Sequence, residues 1–151
     1  MAMAAHRYVR ATQDVDLGAC TSFFPKLREF YEHLRSSGYR VELRWPEDGD
    51  PLDGVLDIER DGAVIQVVNI ANSKLGRAAI DNAEELDIGL RCVRLEELIA
   101  LKLYAGGKYS MRDIQELLDA NPEADLTRIG NTCDELRLGK EWKSVLEARG
   151  E

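Results

Sequence analysis

A short β-hairpin signal around Asp61-Gly62 constrains the fold of this chain more than any other feature of its sequence. Asp-Gly favours a two-residue type I′ turn, because both central residues of that turn take positive φ. The flanking segments 55–60 and 63–70 are rich in apolar and β-branched residues, which is typical of strands. A two-residue turn also sets the strand register, and the predicted pairs are Arg60–Ala63, Glu59–Val64, Ile58–Ile65 and Asp57–Gln66.

Periodic patterns predict further strands and a series of helices elsewhere in the chain. Residues 39–45 alternate apolar and charged side chains strictly, as a half-buried strand does. A short strand is predicted near 88–94, and residues 46–53 have the composition of a loop. Ser110 is expected to cap a helix that stops before Asn121-Pro122, with Asp113 as the capping-box partner. The other predicted helices are 21–37, 73–86, 95–105, 125–137 and 139–149.

This order of elements predicts an α/β (α+β) fold with a mixed sheet and flanking helices. Residues 1–94 would form the α/β core, and residues 95–151 would form a C-terminal helical region packed on that core. A chain of 151 residues is long enough to bury a core without a disulfide or a metal. The pairs Glu84-Glu85 and Glu96-Glu97 are expected to lie on solvated helix faces.

The overall composition argues against several classes of protein. The chain has a formal net charge of -8, which argues against the broad basic surface that coats nucleic acid. Its cysteines, Cys20, Cys92 and Cys133, are dispersed and form no CxxC pair, so the spacing excludes a zinc ribbon or finger. Dispersed cysteines are typical of a reduced, cytoplasmic protein. No run of apolar residues reaches the roughly 18 that a membrane span requires, so no membrane partner is expected.

Residues 10–17, with the sequence Arg-Ala-Thr-Gln-Asp-Val-Asp-Leu, are the stretch most indicative of chemistry. On a strand, Asp14 and Asp16 point to the same side, with their carboxylates about 7 Å apart. Two such carboxylates repel each other unless a cation or water lies between them. Magnesium prefers hard oxygen ligands and normally takes one or two protein carboxylates together with phosphate oxygens. The alternative is an acidic strand end at the protein surface.

The same run resembles the signature of the nucleotidyltransferase superfamily, which has the polymerase-beta-like fold. It looks most like the minimal, abortive-infection-type branch, whose pattern R-x-T-x-D-[hydrophobic]-D-[hydrophobic] is matched at every position by Arg10, Thr12, Asp14 and Asp16. Residues 95–107, LEELIALKLYAGG, resemble the family's (S/P)-E-D-L-I-A-L-K-x-x-A-G helix. The segment around Asp113 resembles the Asp-centred helix that the family places next. The resemblance therefore extends over residues 3–120.

The resemblance implies a mechanism as well as a nucleotidyltransferase-like sheet. Paired carboxylates would hold Mg²⁺, which would bind the triphosphate of an NTP and activate an acceptor hydroxyl on an RNA end or on a protein. The expected catalytic metal ligands are Asp14, Asp16 and Asp57, the last of them added from the hairpin register. The expected nucleotide-binding residues are Arg10, Thr12 and Lys102. Lys102 could instead extend along apolar helix surface, and Thr12 could be a turn or cap hydroxyl.

Three departures from the family pattern bear on catalysis. The family's phosphate-cradling Gly-Gly or Gly-Ser pair is expected to lie upstream of Met1, together with a strand and the start of a helix. The family's third carboxylate corresponds here to the neutral Gln66, and Asp57, directly across the hairpin, is predicted to compensate for it. Asp57 could also be an ordinary solvent-facing strand acid. Tyr109-Ser110 stand where the family often has a Lys-Asp pair.

These observations leave three hypotheses. The first is Mg²⁺-dependent transfer of a nucleotidyl group from an NTP to a hydroxyl acceptor. The second is a degenerate, non-catalytic protein of the same fold that acts as a binding or regulatory module, as in a toxin–antitoxin-like pair. The third is a natural start upstream of Met1 that supplies the missing strand. A sheet edge exposed by the loss of that strand would favour a homodimer.

Overall fold

The computed structural model describes residues 2–8, 14–19, 24–45, 54–70, 73–87, 89–107 and 109–150. Within these residues it has the mixed α/β fold that the sequence predicts. In chain order the elements are α1 (Ala2–Ala5), β1 (Asp14–Ala19), α2 (Phe24–Ser36), β2 (Arg40–Arg44), β3 (Val55–Arg60), β4 (Ala63–Asn69), α3 (Lys74–Asp81), β5 (Glu84–Glu85), β6 (Arg91–Cys92), α4 (Leu95–Ala105), α5 (Ser110–Ala120), α6 (Leu126–Glu135) and α7 (Gly139–Arg149). The predicted loop 46–53 lies outside the described residues.

Two compact units make up the chain. The sheet unit comprises residues 11–80, and the helical unit comprises residues 1–10 together with 81–151. The sequence pattern places the end of the α/β core at residue 94, whereas the compact sheet unit ends at residue 80. In the described part of the chain, no helix is both long and apolar enough to cross a membrane.

The main sheet has the strand order β1-β4-β3-β2. Strand β1 runs parallel to β4, and the other neighbouring strands are antiparallel. The predicted hairpin is confirmed, because Asp61 and Gly62 have φ values of 52° and 81°, as a type I′ turn requires. Its register is also the predicted one, with Asp57 opposite Gln66 and Arg60 opposite Ala63.

One face of this sheet forms the core of the sheet unit. Leu56 and Val67 on the central strands pack with Leu27 of α2, and all three side chains are buried. Half-buried side chains surround them, namely Ala19, Tyr31, Leu34, Val41, Leu43 and Ile58. Because successive strand residues face opposite sides, the residues between these apolar positions lie on the other face of the sheet.

The helical unit is built around α4, whose Ile99 and Ala100 are fully buried. Helix α4 contacts α5 and α6, and α7 contacts the same two helices. The α1 segment is tied to this unit by hydrogen bonds: Asn121 Nδ2 donates to the His6 carbonyl at 2.8 Å, and His6 Nε2 lies 2.8 Å from the Val93 carbonyl oxygen. Helix α4 has the predicted bounds, because Gly106 ends it in the left-handed region at φ 56°.

Three local predictions are wrong. Ser110 is the first residue of α5 and not its cap; Tyr109 takes the cap position, with no side-chain cap bond. The helix predicted over 73–86 ends at Asp81, because Glu84-Glu85 pair as a short strand with Arg91-Cys92. Glu97 is buried, with 5% of its surface exposed, and its Oε1 accepts a 2.7 Å hydrogen bond from Asn82.

Candidate functional site

A row of polar residues crosses the face of the main sheet that lies opposite α2. The register places Asp16 beside Gln66, Gln66 beside Asp57, and Asp57 beside Glu42. Neighbouring strands lie about 4.8 Å apart, so one row spans all four strands of the sheet. The carboxylates of this row, Asp16, Asp57 and Glu42, are hard oxygen ligands by residue type.

The predicted Asp pair contributes to this face from the edge strand β1. Position 14 is opposite Val64, and position 16 is opposite Gln66, so that both positions lie on the same face of the strand. Asp16 is exposed. The side chain of Asp14 and the whole of Arg10 and Thr12 lie outside the described part of the structure. The predicted roles of those three residues therefore stay predictions.

Asp57 makes three hydrogen bonds on this face. Arg44 Nε donates to Asp57 Oδ2 at 2.9 Å, and Arg44 Nη2 donates to Oδ1 at 3.2 Å. Gln66 Nε2 donates to the same Oδ1 at 2.7 Å. The Asp57 side chain is 23% exposed, and that of Arg44 is 52% exposed. Asp57 is thus a partly exposed carboxylate held in a bidentate ion pair with Arg44.

The residues of this face differ in what they could offer Mg²⁺. At positions 14 and 16 the sequence has two aspartates, and a magnesium-binding role for them stays a prediction. Asp57 does not fit as it stands, because Arg44 and Gln66 use both of its oxygens. Among the residues whose side chains are described, no group of three or more His, Cys, Asp or Glu is arranged to hold a metal. A metal-binding role for Asp57 stays a prediction that requires Arg44 to move away.

Lys102, the third predicted nucleotide-binding residue, belongs to the helical unit and forms an ion pair there. Its Nζ lies 2.7 Å from Asp113 Oδ2, and the two side chains are 18% and 5% exposed. Lys102 is in the last turn of α4 and Asp113 in the first turn of α5, where the helix dipoles favour a cation and an anion respectively. Lys102 therefore supplies a counter-charge for the buried Asp113.

Each unit also has a cleft among its described residues. In the helical unit, a cleft of about 270 Å³ is lined in part by Lys102, Leu103, Ser110, Met111 and Ser144. In the sheet unit, a cleft of about 440 Å³ lies between the end of α2 and the hairpin. Its arginines are engaged by neighbours, since Arg40 pairs with Glu59 at 3.1 Å and Arg60 lies over the Tyr39 ring at 5.6 Å.

The described cysteines are poor nucleophiles. Burial raises the pKa of the Cys133 thiol to about 11, and the nearby Asp134 and Glu141 carboxylates contribute to the same shift. Burial likewise raises the pKa of Cys92. The thiolate is the reactive form, so these pKa shifts leave both groups protonated near neutral pH. Their small apolar side chains serve the core of the helical unit.

Arg44 is the site residue that sequence reasoning missed. The strict alternation of residues 39–45 places Arg44 and Glu42 on the charged face of their strand, which was the available signal. The register of β2 against β3 was not predicted, because the segment between the two strands is too long for a two-residue turn to set their pairing. The contact between Arg44 and Asp57 depends on that register.

Comparisons with known proteins add no family assignment. No model of a known protein family matches the chain, and no curated protein matches it closely enough to count as a relative. A function for this chain therefore rests on its motifs and on the geometry of the polar sheet face.

Proposed function

We propose that this chain is a nucleotidyltransferase-like protein that binds an NTP with Mg²⁺ on the polar face of its main sheet. The acceptor hydroxyl, on an RNA end or on a protein, would attack the α-phosphorus of the NTP and lose its proton to solvent. The new P–O bond would form as the bond between the α- and β-phosphates breaks, and pyrophosphate would leave. One observation carries most of the proposal: the parallel register of β1 and β4 aligns Asp16 with Gln66, which the hairpin in turn aligns with Asp57. The strand that carries the Asp pair is thus the neighbour of the strand where the resemblance expects a third polar ligand.

The carboxylates of Asp14 and Asp16 would hold the metal. A bound Mg²⁺ would offset triphosphate charge and lower the pKa of the acceptor hydroxyl. The strand backbone fixes the spacing of positions 14 and 16 along one face of β1. Helix α2 covers the opposite face, which leaves the polar face as the one that carries the acids. Arg10, Thr12 and Lys102 are assigned to the nucleotide by the resemblance alone.

A second candidate function is a non-catalytic binding or regulatory module, as in a toxin–antitoxin-like pair. The favouring observation is the neutralised third position, where Gln66 replaces a carboxylate and Arg44 holds Asp57. A site of this kind could keep the fold of a nucleotidyltransferase without completing its metal centre.

Calorimetric titration of each NTP, with and without Mg²⁺, tests the first proposal. We expect Mg²⁺-dependent binding that weakens at least ~10-fold, or about 1.4 kcal/mol, in the Asp14→Asn/Asp16→Asn double variant, because its amides cannot offset the metal charge. The matched control is Glu32→Gln/Asp87→Asn, which removes the same formal charge from two exposed positions. Equal affinities for the double variant and the wild type would contradict the proposal. A folded wild-type chain that binds no NTP would favour the regulatory module.

A further inference from the structure

The polar face differs from the expected metal centre at its third position. The resemblance calls for a carboxylate at position 66, and the chain has an amide there. Asp57 is the carboxylate that the sequence predicted would compensate for the neutral Gln66. The amide nitrogen of Gln66 donates a hydrogen bond to this same carboxylate. Both oxygens of Asp57 also accept from the Arg44 guanidinium. A cation is therefore already present at the third position, and the chain itself supplies it.

The Arg44 guanidinium has the properties of a stable but releasable counter-ion. Its Nε and Nη2 donate hydrogen bonds to the two carboxylate oxygens of Asp57 at 2.9 Å and 3.2 Å. This bidentate ion pair is stronger than a pair with a single hydrogen bond. Arg44 belongs to β2, the outer strand of the four-stranded sheet, and its side chain is half exposed. Rotation of an exposed side chain would release Asp57 without any change of the sheet.

We propose that Arg44 acts as the resident cation of Asp57 and keeps divalent metal ions away from that carboxylate. The inference rests on the proposed function only in taking the polar face as a metal-binding surface. It assigns Arg44 as a positioning residue that limits the metal to the Asp14 and Asp16 end of the face. The guanidinium disfavours a divalent ion at Asp57, because it already donates to both carboxylate oxygens and its positive charge would repel a second cation.

Titration of Mn²⁺ alone into the full chain tests this inference. Binding is measured as the loss of the electron paramagnetic resonance signal of the free ion. We expect Arg44→Gln to tighten Mn²⁺ binding about tenfold, because it removes the cation that occupies Asp57. The control is Arg40→Gln on the same strand, which removes an equal charge from an arginine that pairs with Glu59 and not with Asp57. We expect less than about a twofold change there, since an exposed charge without direct contact is screened.

The double variant Arg44→Gln/Asp57→Asn distinguishes direct occupation from a general effect of charge. The tightening caused by Arg44→Gln should disappear in it, and Arg44→Lys should tighten binding less than Arg44→Gln does. The inference is overturned if Arg44→Gln and Arg40→Gln tighten binding equally, if Asp57→Asn leaves the gain intact, or if neither the wild type nor Arg44→Gln binds Mn²⁺. The proposed function is judged separately, by the NTP titration of the Asp14 and Asp16 variant. Circular dichroism checks that every variant keeps the wild-type fold.

Discussion

Replacing Lys102 with methionine is expected to lower the free energy of unfolding of the helical unit by about 3 kcal/mol. Methionine keeps most of the apolar stem but removes the ammonium that lies 2.7 Å from Asp113. The Asp113 side chain is only 5% exposed, so little water can replace the lost cation. Removal of one partner from a buried ion pair is costly for this reason, even where the intact pair adds little net stability.

The change can be followed by urea unfolding with Trp142 as the probe. Trp142 is buried in α7 of the helical unit, and a Trp45→Phe background removes the other tryptophan signal. The matched control is Lys143→Met, since Lys143 and Glu147 form an exposed pair at 3.8 Å. That control should lose less than about 0.5 kcal/mol. Equal losses for the two variants would show that Lys102 is not a structural cation.

Replacing Gly76 with alanine is expected to destabilise the sheet unit by about 2–3 kcal/mol, because the added methyl would overpack a filled site. Helix propensity alone predicts the opposite sign, with a gain of about 1 kcal/mol for alanine over glycine. A Cβ at position 76 would overlap the Ile70 carbonyl oxygen and would lie 2.6 Å from Ile70 Cβ and 2.7 Å from Ser73 Oγ. The backbone oxygen cannot move aside as a flexible side chain could, so the helix must shift.

Urea unfolding followed by circular dichroism measures this loss. The control is Lys74→Ala, which places an alanine at an exposed position of the same helix and should change stability by less than about 0.5 kcal/mol. A neutral or stabilising effect of Gly76→Ala would contradict the close approach of α3 to the residue 70 backbone. It would mean that the helix propensity of alanine outweighs the steric cost of the added methyl group.

The features that the sequence predicted well are those set by local chemistry. The Asp61-Gly62 turn determines its own register, and Gly106 ends α4 at the predicted place. Both outcomes depend on backbone conformations that few residues tolerate, so a dipeptide or a single glycine carries the information. The strands and helices could also be predicted from hydrophobic periodicity, because the period is a property of a single segment.

The features that the sequence did not predict depend on contacts between distant segments. Asp113 has the spacing of a capping-box partner, whereas its side chain is held by Lys102 across the turn between two helices. Glu97 has the sequence context of an exposed helix residue, yet it is buried and accepts a hydrogen bond from Asn82, outside its own helix. The partner of Arg44 lies on another strand. A charged residue gives no sign in the sequence of which distant group will neutralise it.

The same distinction between local chemistry and contacts of distant segments applies to the candidate site. The hairpin register placed Asp57 beside Gln66 correctly, since that pair depends on the turn alone. The alignment of Asp16 with Gln66 depends on a parallel pairing between segments far apart in the chain, which no local signal determines. The candidate carboxylates could be identified from the sequence. Which of them share one sheet face, and which one pairs with a guanidinium, depends on the fold.

Paramagnetic broadening by Mn²⁺ would test most directly whether the polar sheet face is a metal and triphosphate site. A ¹⁵N-labelled chain would receive ATP and a small fraction of Mn²⁺, with Mg²⁺ as the diamagnetic reference. We expect the amide signals of residues 14–16 and of Gln66 to weaken first, because these positions adjoin on β1 and β4. Broadening that begins elsewhere, for example at the acidic pair Glu84-Glu85, or that spreads evenly over the chain, would contradict it.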